Sequence, residues 1–416
     1  MRKMQKRVYV VAADTTVFLG TGRKEFHPKK PRPGLEHYIA EAGKGVLAQI
    51  SDPEAVDEGV VGNFMASRFN RQGHLGAMMA VVHPSLAGKP SLRVEGACAS
   101  GGLAVVTAIK SVLAGQADLS LVVGVEVQNT VKAIYGADIL AGAGHYAAER
   151  KSGHAYYFPA KFSDRAGEYK KRFGAERTWA AMGRWYEQAV RNARLNPKAQ
   201  EFHNTTTDLF STHQTMAPNP KSFCEHINVL DCSKVSDGAA AILVASEEGL
   251  KRTGRKKSEA VELVGFGHST ADLTAQPDDL TVLDTTRRAA REALEMAGVA
   301  VRDVGVFEVH DCFTISGILA CEALGLAGHG EGADYVLSGA TRRDGPTPVN
   351  TSGGLVGFGH PTGASGVRMA ADLWRQLTGR AGDDQVKIPS ERPHGIFASM
   401  GGNDRTVVSC VFRRAA

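Results

Sequence analysis

The chain has 416 residues, of which 43% are hydrophobic and 22% are charged, a composition typical of a soluble globular protein with two or three domains. A net charge of +5 is too diffuse to indicate nucleic-acid binding, although it suits a small phosphate-bearing ligand. No apolar stretch approaches the roughly 20 residues that a membrane span needs, so we expect no membrane association.

The six cysteines show no CxxC spacing, which disfavours both a zinc site and a disulfide framework. Free thiols fit a reducing compartment. The basic N-terminal residues precede a run, VYVVAADTTVF, that is too short and too polar for a secretion signal. We therefore predict a cytoplasmic protein.

The first zone, residues 1–127, alternates short apolar strands with helical patterns. Strand-like runs lie at 7–13, 58–64, 91–97 and 118–126, and helical patterns at 37–50 and 99–114. This alternation predicts a mostly parallel sheet covered by helices.

The second zone, residues 128–255, is richer in Tyr, His, Lys and Arg and less regular in period. It indicates a helical excursion that returns through a strand at 238–246. The third zone, 256–416, repeats the opening theme with strands at 260–267 and 304–311 and helices at 285–298, 314–326 and 366–379, the first of these capped by Asp284. The two α/β zones indicate an internal duplication.

Cys98 is the first candidate for chemistry. In GACASGG an apolar strand ends at Ala97 and a helix begins at once, so the thiol lies at a helix N-terminus, where a thiolate is stabilised. A nucleophile and a packed core cysteine are both compatible with this context.

His360 is the second candidate, in the glycine-rich run NTSGGLVGFGHPTGASG (350–366). The backbone freedom around it suggests a group presented to a tight pocket, where a proton acceptor for a thiol is its natural use. A phosphate-binding loop is disfavoured because neither a Walker spacing nor GxGxxG is present.

Two further segments present polar groups at strand ends. EVHDCFTISG (308–317) offers His310 and Cys312, and FASMGGND (397–404) offers a backbone N–H at Gly401 as an oxyanion donor.

Together, CASG, the later GHPTGASG and SDGAAAILVAS (236–246) resemble the thiolase family over essentially the whole chain. The resemblance implies an α/β thiolase fold, in which two similar βαβαβαββ halves form a five-layer α-β-α-β-α core with an inserted loop domain. It implies an N-terminal half at 1–127, a loop domain with its return strand at 128–255, and a C-terminal half at 256–416.

The sequence departs from ordinary thiolases at two places. They carry Asn-Glu-Ala-Phe where this chain has His310, Asp311, Cys312 and Phe313, and a second catalytic cysteine where it has Ser399. A serine is a poor substitute for a thiol acid/base. The chain is similar in both respects to the sterol-carrier-protein-type branch, which carries His-Asp-Cys-Phe.

That branch implies roles for the matching positions. Cys98 is expected to be the acyl-accepting nucleophile, His360 its base, and Cys312 the acid/base at the α-carbon or leaving thiol. His310 is expected to hold a water or donate to a substrate carbonyl, and the N–H groups of Cys98 and Gly401 to form the oxyanion hole. The resemblance assigns Ser399 to the pocket lining and gives it no catalytic duty.

The implied reaction is a ping-pong cleavage of a 3-oxoacyl-CoA, or the reverse Claisen condensation, with coenzyme A as co-substrate and neither a metal nor a bound cofactor required. Lys170, Lys171 and Arg172 are candidates for the CoA phosphates, as is the basic run from Arg23 to Arg32, otherwise a solvated loop. The remaining cysteines are expected to pack in the core, His145, His154 and His213 to be structural, and Asp311 to orient a neighbour.

Two alternatives remain open. A decarboxylating ketosynthase-like acyltransferase would use Cys98, His310 and His360 as its triad, and a degenerate homologue would serve as a scaffold. The resemblance also implies a homodimer or a dimer of dimers, and it leaves room for a small zinc-ribbon/OB-fold companion protein. Acyl specificity and direction stay open.

Overall fold

The computed structural model describes residues 4–150 and 154–416. Within these residues the strands are β1 (Val8–Thr15), β2 (Glu58–Gly62), β3 (Ser91–Val94), β4 (Leu119–Glu126), β5 (Gly238–Ala245), β6 (Val261–Thr270), β7 (Val304–Val309), β8 (His394–Gly401) and β9 (Thr406–Arg414). The α-helices are α1 (Leu35–Leu47), α2 (Ala66–Phe69), α3 (Ser100–Ala114), α4 (Ala133–Leu140), α5 (Tyr146–Glu149), α6 (Tyr157–Phe173), α7 (Ala175–Ala193), α8 (Leu209–Thr215), α9 (Glu247–Arg252), α10 (Asp284–Ala297), α11 (Thr314–Ala323), α12 (Gly332–Leu337), α13 (Gly354–Phe358) and α14 (Thr362–Thr378).

The strands form one continuous sheet in the order β3-β2-β4-β5-β1-β6-β9-β8-β7. Only β2–β3, β2–β4 and β7–β8 pair in parallel, while the other neighbours are antiparallel. The prediction of a mostly parallel sheet is therefore wrong outside these pairs. The reason lies in β5, which starts opposite the end of β4 (Glu126 against Gly238) and so runs back between β4 and β1.

The two ends of the sheet repeat one topology. The first half reads β3-β2-β4-β5-β1, and the second reads β7-β8-β9-β6 with a parallel bridge from Phe307 to Val349 in the place of its fifth strand. In both halves an antiparallel strand separates the first strand from the parallel ones. The predicted duplication is thus visible in the strand order.

Two helices lie between the halves and cross closely. α3 packs on α14, and α14 packs on β4 and β5 of the first half and on β8 and β7 of the second. A Cβ on Gly101 would lie 2.6 Å from the carbonyl oxygen of Gly363, and one on Gly366 would lie 2.2 Å from the nitrogen of Gly102. Only glycine permits this approach. The crossing brings the N-termini of α3 and α14 together.

The outer layers are formed by α1 against β5, β1 and β4 and by α10 against β6, β9 and β8. Each is amphipathic and buries its apolar side on the sheet, as the 3.6-residue period of its sequence predicts. With the central helices this gives the α-β-α-β-α layering expected of a thiolase fold.

One helix, Ala97–Ala114, is apolar and long enough to cross a membrane by length and composition alone. It contains α3, and 61% of it is buried inside the protein. Its apolar character reflects its central place between two layers of sheet, because a helix enclosed on all sides carries no polar face.

The inserted region between β4 and β5 contains α4 to α8. α7 is its central helix and packs on α6 and α8 as well as on α11, α12 and α13 of the C-terminal part. Its predicted limits, and the division of the chain at 127 and 255, stay predictions.

Several predicted helix limits were wrong, including those of α1, which spans Leu35–Leu47 where 37–50 was predicted. α14 begins at Thr362, four residues earlier than predicted, because the carboxylate of Glu126 accepts hydrogen bonds from the Thr362 hydroxyl and the Gly363 amide. α11 ends at Ala323. Asp284 is not a cap: it is the first residue of α10, where it pairs with Arg287 and Arg288.

Candidate active site

Cys98 lies in the tight turn between β3 and α3. Ala97 has a φ of 53°, in the left-handed region that a residue with a Cβ rarely adopts, and the Ser100 hydroxyl holds the turn. That hydroxyl accepts from the Gly96 amide (3.1 Å) and donates to the carbonyl of Ala97 (2.6 Å). The strained turn points the thiol away from both elements and into a cavity.

The thiol is neutral in the free protein. Burial, together with the buried carboxylate of Glu126, raises the pKa of Cys98 to about 12, although the amides of Gly402 and of Cys98 itself act in the opposite direction. The sequence predicted a thiolate stabilised by a helix end. That prediction was wrong because α3 begins only at Ser100 and its N-terminus does not offset the desolvation. Cys98 therefore needs a proton acceptor.

His360 is held with one ring nitrogen free to accept that proton. Its backbone is fixed by hydrogen bonds to Ser236 Oγ (3.0 Å) and from Gln128 Nε2 (2.7 Å). Its Nδ1 lies 2.6 Å from Ser365 Oγ, and the Ser365 hydroxyl donates to the carbonyl of Pro361. Nδ1 therefore carries the hydrogen and donates to Ser365, which leaves Nε2 as the acceptor.

The same residue is neutral. Burial, with Arg368 as a second cause, lowers the pKa of His360 to about 3. In the part of the chain that the structure describes, Nε2 has no hydrogen-bond partner. A neutral imidazole with a free, buried nitrogen is suited to act as a general base.

The segment 310–313 follows β7 and is shaped by Asn350. The Asn350 side chain accepts from the amide of Val309 (2.8 Å) and donates to its carbonyl (3.1 Å), as a neighbouring strand would. Asp311 turns away from the cavity and accepts from Trp185 Nε1 (3.0 Å) and the Leu355 amide (2.7 Å). Its predicted part, orienting neighbours, fits these contacts.

His310 and Cys312 point the other way, into the cavity. The His310 ring meets that of His360 edge-on, with centroids 5.1 Å apart, and burial lowers its pKa well below the usual range. Burial, and then the nearby Cys98, raises the pKa of Cys312 well above its usual range. The Cys312 sulfur lies 3.7 Å from Ser316 Oγ.

These four side chains border one cavity of about 800 Å³. The Cys98 sulfur and one ring nitrogen each of His310 and His360 lie within 4.8 Å of one another. The wall is mainly apolar and aromatic, with Phe26, Phe69, Tyr156, Phe158, Phe162, Phe223 and Phe313 among its residues. A nucleophile, a neutral base and a second thiol thus line one cavity, whose mainly apolar wall suits an apolar ligand.

Both halves of the chain match models of one protein family. Residues 8–248 match the model described as "Thiolase, N-terminal domain", and residues 265–414 match "Thiolase C-terminal domain-like". The chain belongs to the thiolase family.

Named relatives agree. An acetyl-CoA acetyltransferase of Methanothermobacter thermautotrophicus is 35% identical over 379 residues, covering 90% of this chain and 94% of that protein. Human sterol carrier protein 2 is 30% identical over 416 residues, covering 95% of this chain and 71% of that protein. The benzoylsuccinyl-CoA thiolase subunit BbsB of Thauera aromatica is 28% identical over 400 residues, covering 96% of this chain and 96% of that protein. This thiolase is a CoA-dependent acyltransferase.

Solved structures share the fold. The Ltp2-ChsH2(DUF35) aldolase superposes with a TM-score of 0.79 at 20% identity, covering 99% of each chain. Human mitochondrial 3-ketoacyl-CoA thiolase in complex with CoA superposes with a TM-score of 0.69 at 19% identity, also covering 99% of each.

Of the two site residues predicted on β8, Ser399 lies outside the cavity wall of this thiolase, whereas Gly401 lies beside the Cys98 turn. Ser399 is completely buried and lies against Gly102 of α3, outside the cavity wall as described, so it does not line the pocket. Alternation along β8 explains this, because Met400 faces the cavity instead. Gly401 packs against Gly96 and Ala99. Its role as oxyanion donor stays a prediction. The amide of the next residue, Gly402, reaches the Cys98 sulfur.

The residues predicted to contact the CoA phosphates lie away from the cavity, and those contacts stay a prediction. Lys170 donates to the carbonyl of His226 and lies over the Trp179 ring, and burial lowers its pKa to about 8. Arg172 pairs with Asp279, and Lys171 lies 3.6 Å from Glu168. All three lie outside the described cavity wall, whose cationic members are Arg32, Lys132 and Lys234.

Of the cysteines and histidines expected to be structural, most lie away from the cavity and one, Cys232, lies on its wall. Cys224, Cys321 and Cys410 are buried in the core, as predicted, whereas Cys232 lies on the cavity wall. His213 is buried and lies 2.8 Å from Asp231, and His145 and His154 lie off the described wall.

The basic loop is only partly solvated. Lys24, Lys29 and Lys30 are exposed, but Arg23 is buried and donates to the carbonyls of Pro197 and Ala199.

Sequence reasoning missed two buried ions that position the site. Glu126 accepts from Asn63, Phe64 and Met65 as well as from the start of α14. Arg165 of α6 donates to Asn403 Oδ1 (2.6 Å) beside the left-handed turn 402–404. The only sequence signal for Glu126 was an acid ending an apolar strand, and Arg165 gave none.

Proposed function

We propose that this thiolase cleaves a 3-oxoacyl-CoA with CoA, or runs the reverse condensation, through an acyl-enzyme on Cys98. The observation that carries the proposal is the convergence of Cys98, His360 and Cys312 on one cavity, with His310 beside them. Two thiols and a neutral imidazole are the groups that two proton transfers and one covalent intermediate need.

In the first half-reaction His360 Nε2 takes the thiol proton of Cys98 as its sulfur attacks the 3-oxo carbonyl. The C2–C3 bond then breaks, which leaves the acyl group on sulfur and an enolate of the shortened thioester. Cys312 protonates that enolate. Deprotonation coincides with attack, because burial keeps both Cys98 and His360 neutral beforehand.

In the second half-reaction the thiol of CoA attacks the acyl-enzyme and gives its proton to the thiolate of Cys312. Cys98 then leaves as a thiolate and takes its proton back from His360, which restores the resting state. The oxyanion of the thioester accepts hydrogen bonds from the amide of Cys98 and from that of Gly402 or of Gly401, the residue that the sequence predicted. His310 donates to the second carbonyl of the substrate. The proton from Cys312 stays on the product carbon and is replaced by that of the CoA thiol, while the Cys98 proton returns from His360, so the scheme balances without a metal or redox cofactor.

The cavity wall supports an apolar acyl group as substrate. Aromatic residues from the loop domain and from both halves surround the thiols, while Arg32, Lys132 and Lys234 supply positive charge on the same wall. We assign the pantetheine arm and the acyl chain to the aromatic part and the CoA phosphates to these cations.

The test is intact-protein mass spectrometry with 3-oxoacyl-CoA substrates of increasing acyl size. The expected result is a covalent acyl adduct that Cys98→Ala abolishes, and CoA-dependent release of two acyl-CoA products. Absence of the adduct from folded wild-type protein supplied with several such substrates would overturn the proposal.

A second candidate is a decarboxylating ketosynthase-like acyltransferase, because Cys98, His310 and His360 do form the triad that it would use. Cys312 on the same wall favours thiolysis, since decarboxylation needs no second thiol. Release of carbon dioxide from a malonyl thioester, without cleavage of 3-oxoacyl-CoA, would establish this alternative.

We propose in addition a homodimer or dimer of dimers. β3 is an edge strand of the described sheet, it leads directly to Cys98, and Leu92 on it is exposed. A second copy pairing there would cover an otherwise open edge. Light scattering that shows a monomer at micromolar concentration would contradict this assembly.

A companion subunit is supported by two comparisons: one structural neighbour is named with its DUF35 component, and one relative is named as a subunit. We propose a small zinc-ribbon/OB-fold partner that improves CoA binding. Full activity of the chain expressed alone, with no change on adding such a protein, would count against it.

Because all six cysteines are free in the described chain, we also propose the cytoplasm as its location.

A further inference from the structure

The catalytic cluster contains buried imidazole nitrogens that make no hydrogen bond to any described residue. His310 is 3% exposed and His360 7%, yet among the described residues neither ring nitrogen of His310, nor Nε2 of His360, has a hydrogen-bond partner. Buried polar atoms are normally paired. With the Cys98 sulfur these atoms form an open set of three donors within 4.8 Å of one another.

One cysteine and two histidines are a donor set that soft divalent transition metals prefer, zinc above all. Zinc bonds of about 2.0–2.3 Å place tetrahedral ligand atoms roughly 3.5 Å apart. Rotation of the His310 imidazole and the Cys98 thiol can close the remaining gap of about 1 Å. The fourth position would face the cavity, which also provides the path of entry.

The surroundings of His360 match those of a metal-binding histidine. Its Nδ1 is 2.6 Å from Ser365 Oγ, which fixes the ring with Nε2 toward Cys98 and His310. The buried cation Arg368 pairs with Asp372, and its guanidinium lies 3.6 Å from the carboxyl group of Glu308.

We propose that Cys98, His310 and His360 bind Zn²⁺ reversibly and that the bound ion blocks the enzyme. Binding replaces the thiol proton: the Cys98 thiol and Zn²⁺ give a zinc thiolate and one released proton, with no oxidation. The sulfur and His360 Nε2 are then both occupied, so Cys98 cannot be acylated. Only the inhibition rests on the proposed function; the binding does not.

The test uses Co²⁺ as a visible probe on metal-free, full-length protein. We expect one Co²⁺ per chain, with a thiolate-to-cobalt charge-transfer band and the intense visible bands of tetrahedral cobalt, both lost when Zn²⁺ is added. Cys98→Ser should remove the charge-transfer band, and His310→Asn and His360→Asn should each weaken binding by 10-fold or more. Ser365→Ala should weaken it less.

Two matched controls locate the sulfur. Cys312→Ser changes the other thiol of the cavity and Cys224→Ser a core thiol, and both should keep the cobalt spectrum. A missing charge-transfer band in folded wild-type protein with excess Co²⁺, its persistence in Cys98→Ser, or its loss in Cys312→Ser would each overturn the proposal. Thermal melting verifies that every variant is folded.

Inhibition is measured separately. Acylation of Cys98 in metal-free protein tests the proposed function, and its loss on adding stoichiometric Zn²⁺, with recovery after chelation, tests the blockade. A protein that binds Co²⁺ as described but never forms an acyl-enzyme would refute the function alone. One that is acylated equally well with Zn²⁺ bound would refute the blockade alone.

Discussion

The two halves of the molecule present their reactive groups in different ways. In the N-terminal half, Cys98 follows β3 within one tight turn, which the Ser100 hydroxyl holds through hydrogen bonds to Gly96 and Ala97. In the C-terminal half the equivalent strand shrinks to a single bridge at Val349, and the segment 350–359, including α13, intervenes before His360.

That longer segment depends on neighbours from elsewhere in the chain. α13 packs on α7 of the inserted region, and the start of α14 is held by Glu126 at the end of β4. The nucleophile is thus positioned locally, whereas the base and the second thiol are positioned by the inserted region and by the opposite half. Changes to these supports should affect the base more than the nucleophile.

The largest effect should follow Cys312→Ala, which removes the proton carrier of the C-terminal half and leaves the Cys98 turn intact. We expect acylation of Cys98 by an acyl-CoA to stay measurable, while C–C bond cleavage and formation fall by about 10³-fold or more. Mass spectrometry of the adduct and a thiolysis assay separate the two steps.

Ser399→Ala is the matched control, because Ser399 occupies the position of the usual second cysteine but faces α3. It should stay within about threefold of wild type. Normal turnover in Cys312→Ala with a large loss in Ser399→Ala would reverse the assignment.

Gly357→Ala should break the support that α7 gives to α13. A Cβ at this position would lie 2.2 Å from the carbonyl oxygen of Ala189, a backbone atom that cannot yield cheaply. We expect a loss of about 2–4 kcal/mol in the free energy of unfolding, measured by urea denaturation. Gly73→Ala, where a Cβ meets nothing within 4 Å, should be nearly neutral. Equal effects of the two would argue against this dependence.

These supports also explain how far the sequence could predict the molecule. Periodicity located the strands, and glycine patterns located the turns that carry Cys98 and His360, because both signals are local. The antiparallel return of β5, the direction of Ser399 toward α3 and the role of Glu126 depend on register and on contacts between residues far apart in the chain. Neither composition nor spacing contains that information.

Glu126→Gln should loosen the connection between the halves. The carboxylate accepts from Phe64, Met65 and Gly363 amides and from the Asn63 and Thr362 side chains. An amide turns one of its two acceptors into a donor that faces N–H groups, at a cost of about 1–3 kcal/mol. Thermal melting should show the loss, and acylation at saturating substrate should slow.

The exposed Glu248→Gln is the control and should change stability by less than about 0.5 kcal/mol. If Glu126→Gln were as stable as this control, the carboxylate would not be what holds the start of α14.

The smallest effect concerns Asp384, a buried carboxyl that accepts from Asn196 of the inserted region. Burial raises its pKa to about 7 from 3.8, so the folded state retains a proton that the unfolded state loses between these values. Stability from this group is therefore full below about pH 4 and is lost as pH rises through 7. Asp384→Asn keeps an acceptor without the charge, and should raise the free energy of unfolding by about 1 kcal/mol or more at pH 8 and by little at pH 5. The exposed Asp383→Asn is the control, and its free energy of unfolding should show no such pH-dependent increase. If Asp384→Asn raised the free energy of unfolding equally at pH 5 and pH 8, packing and not ionisation would limit this contact.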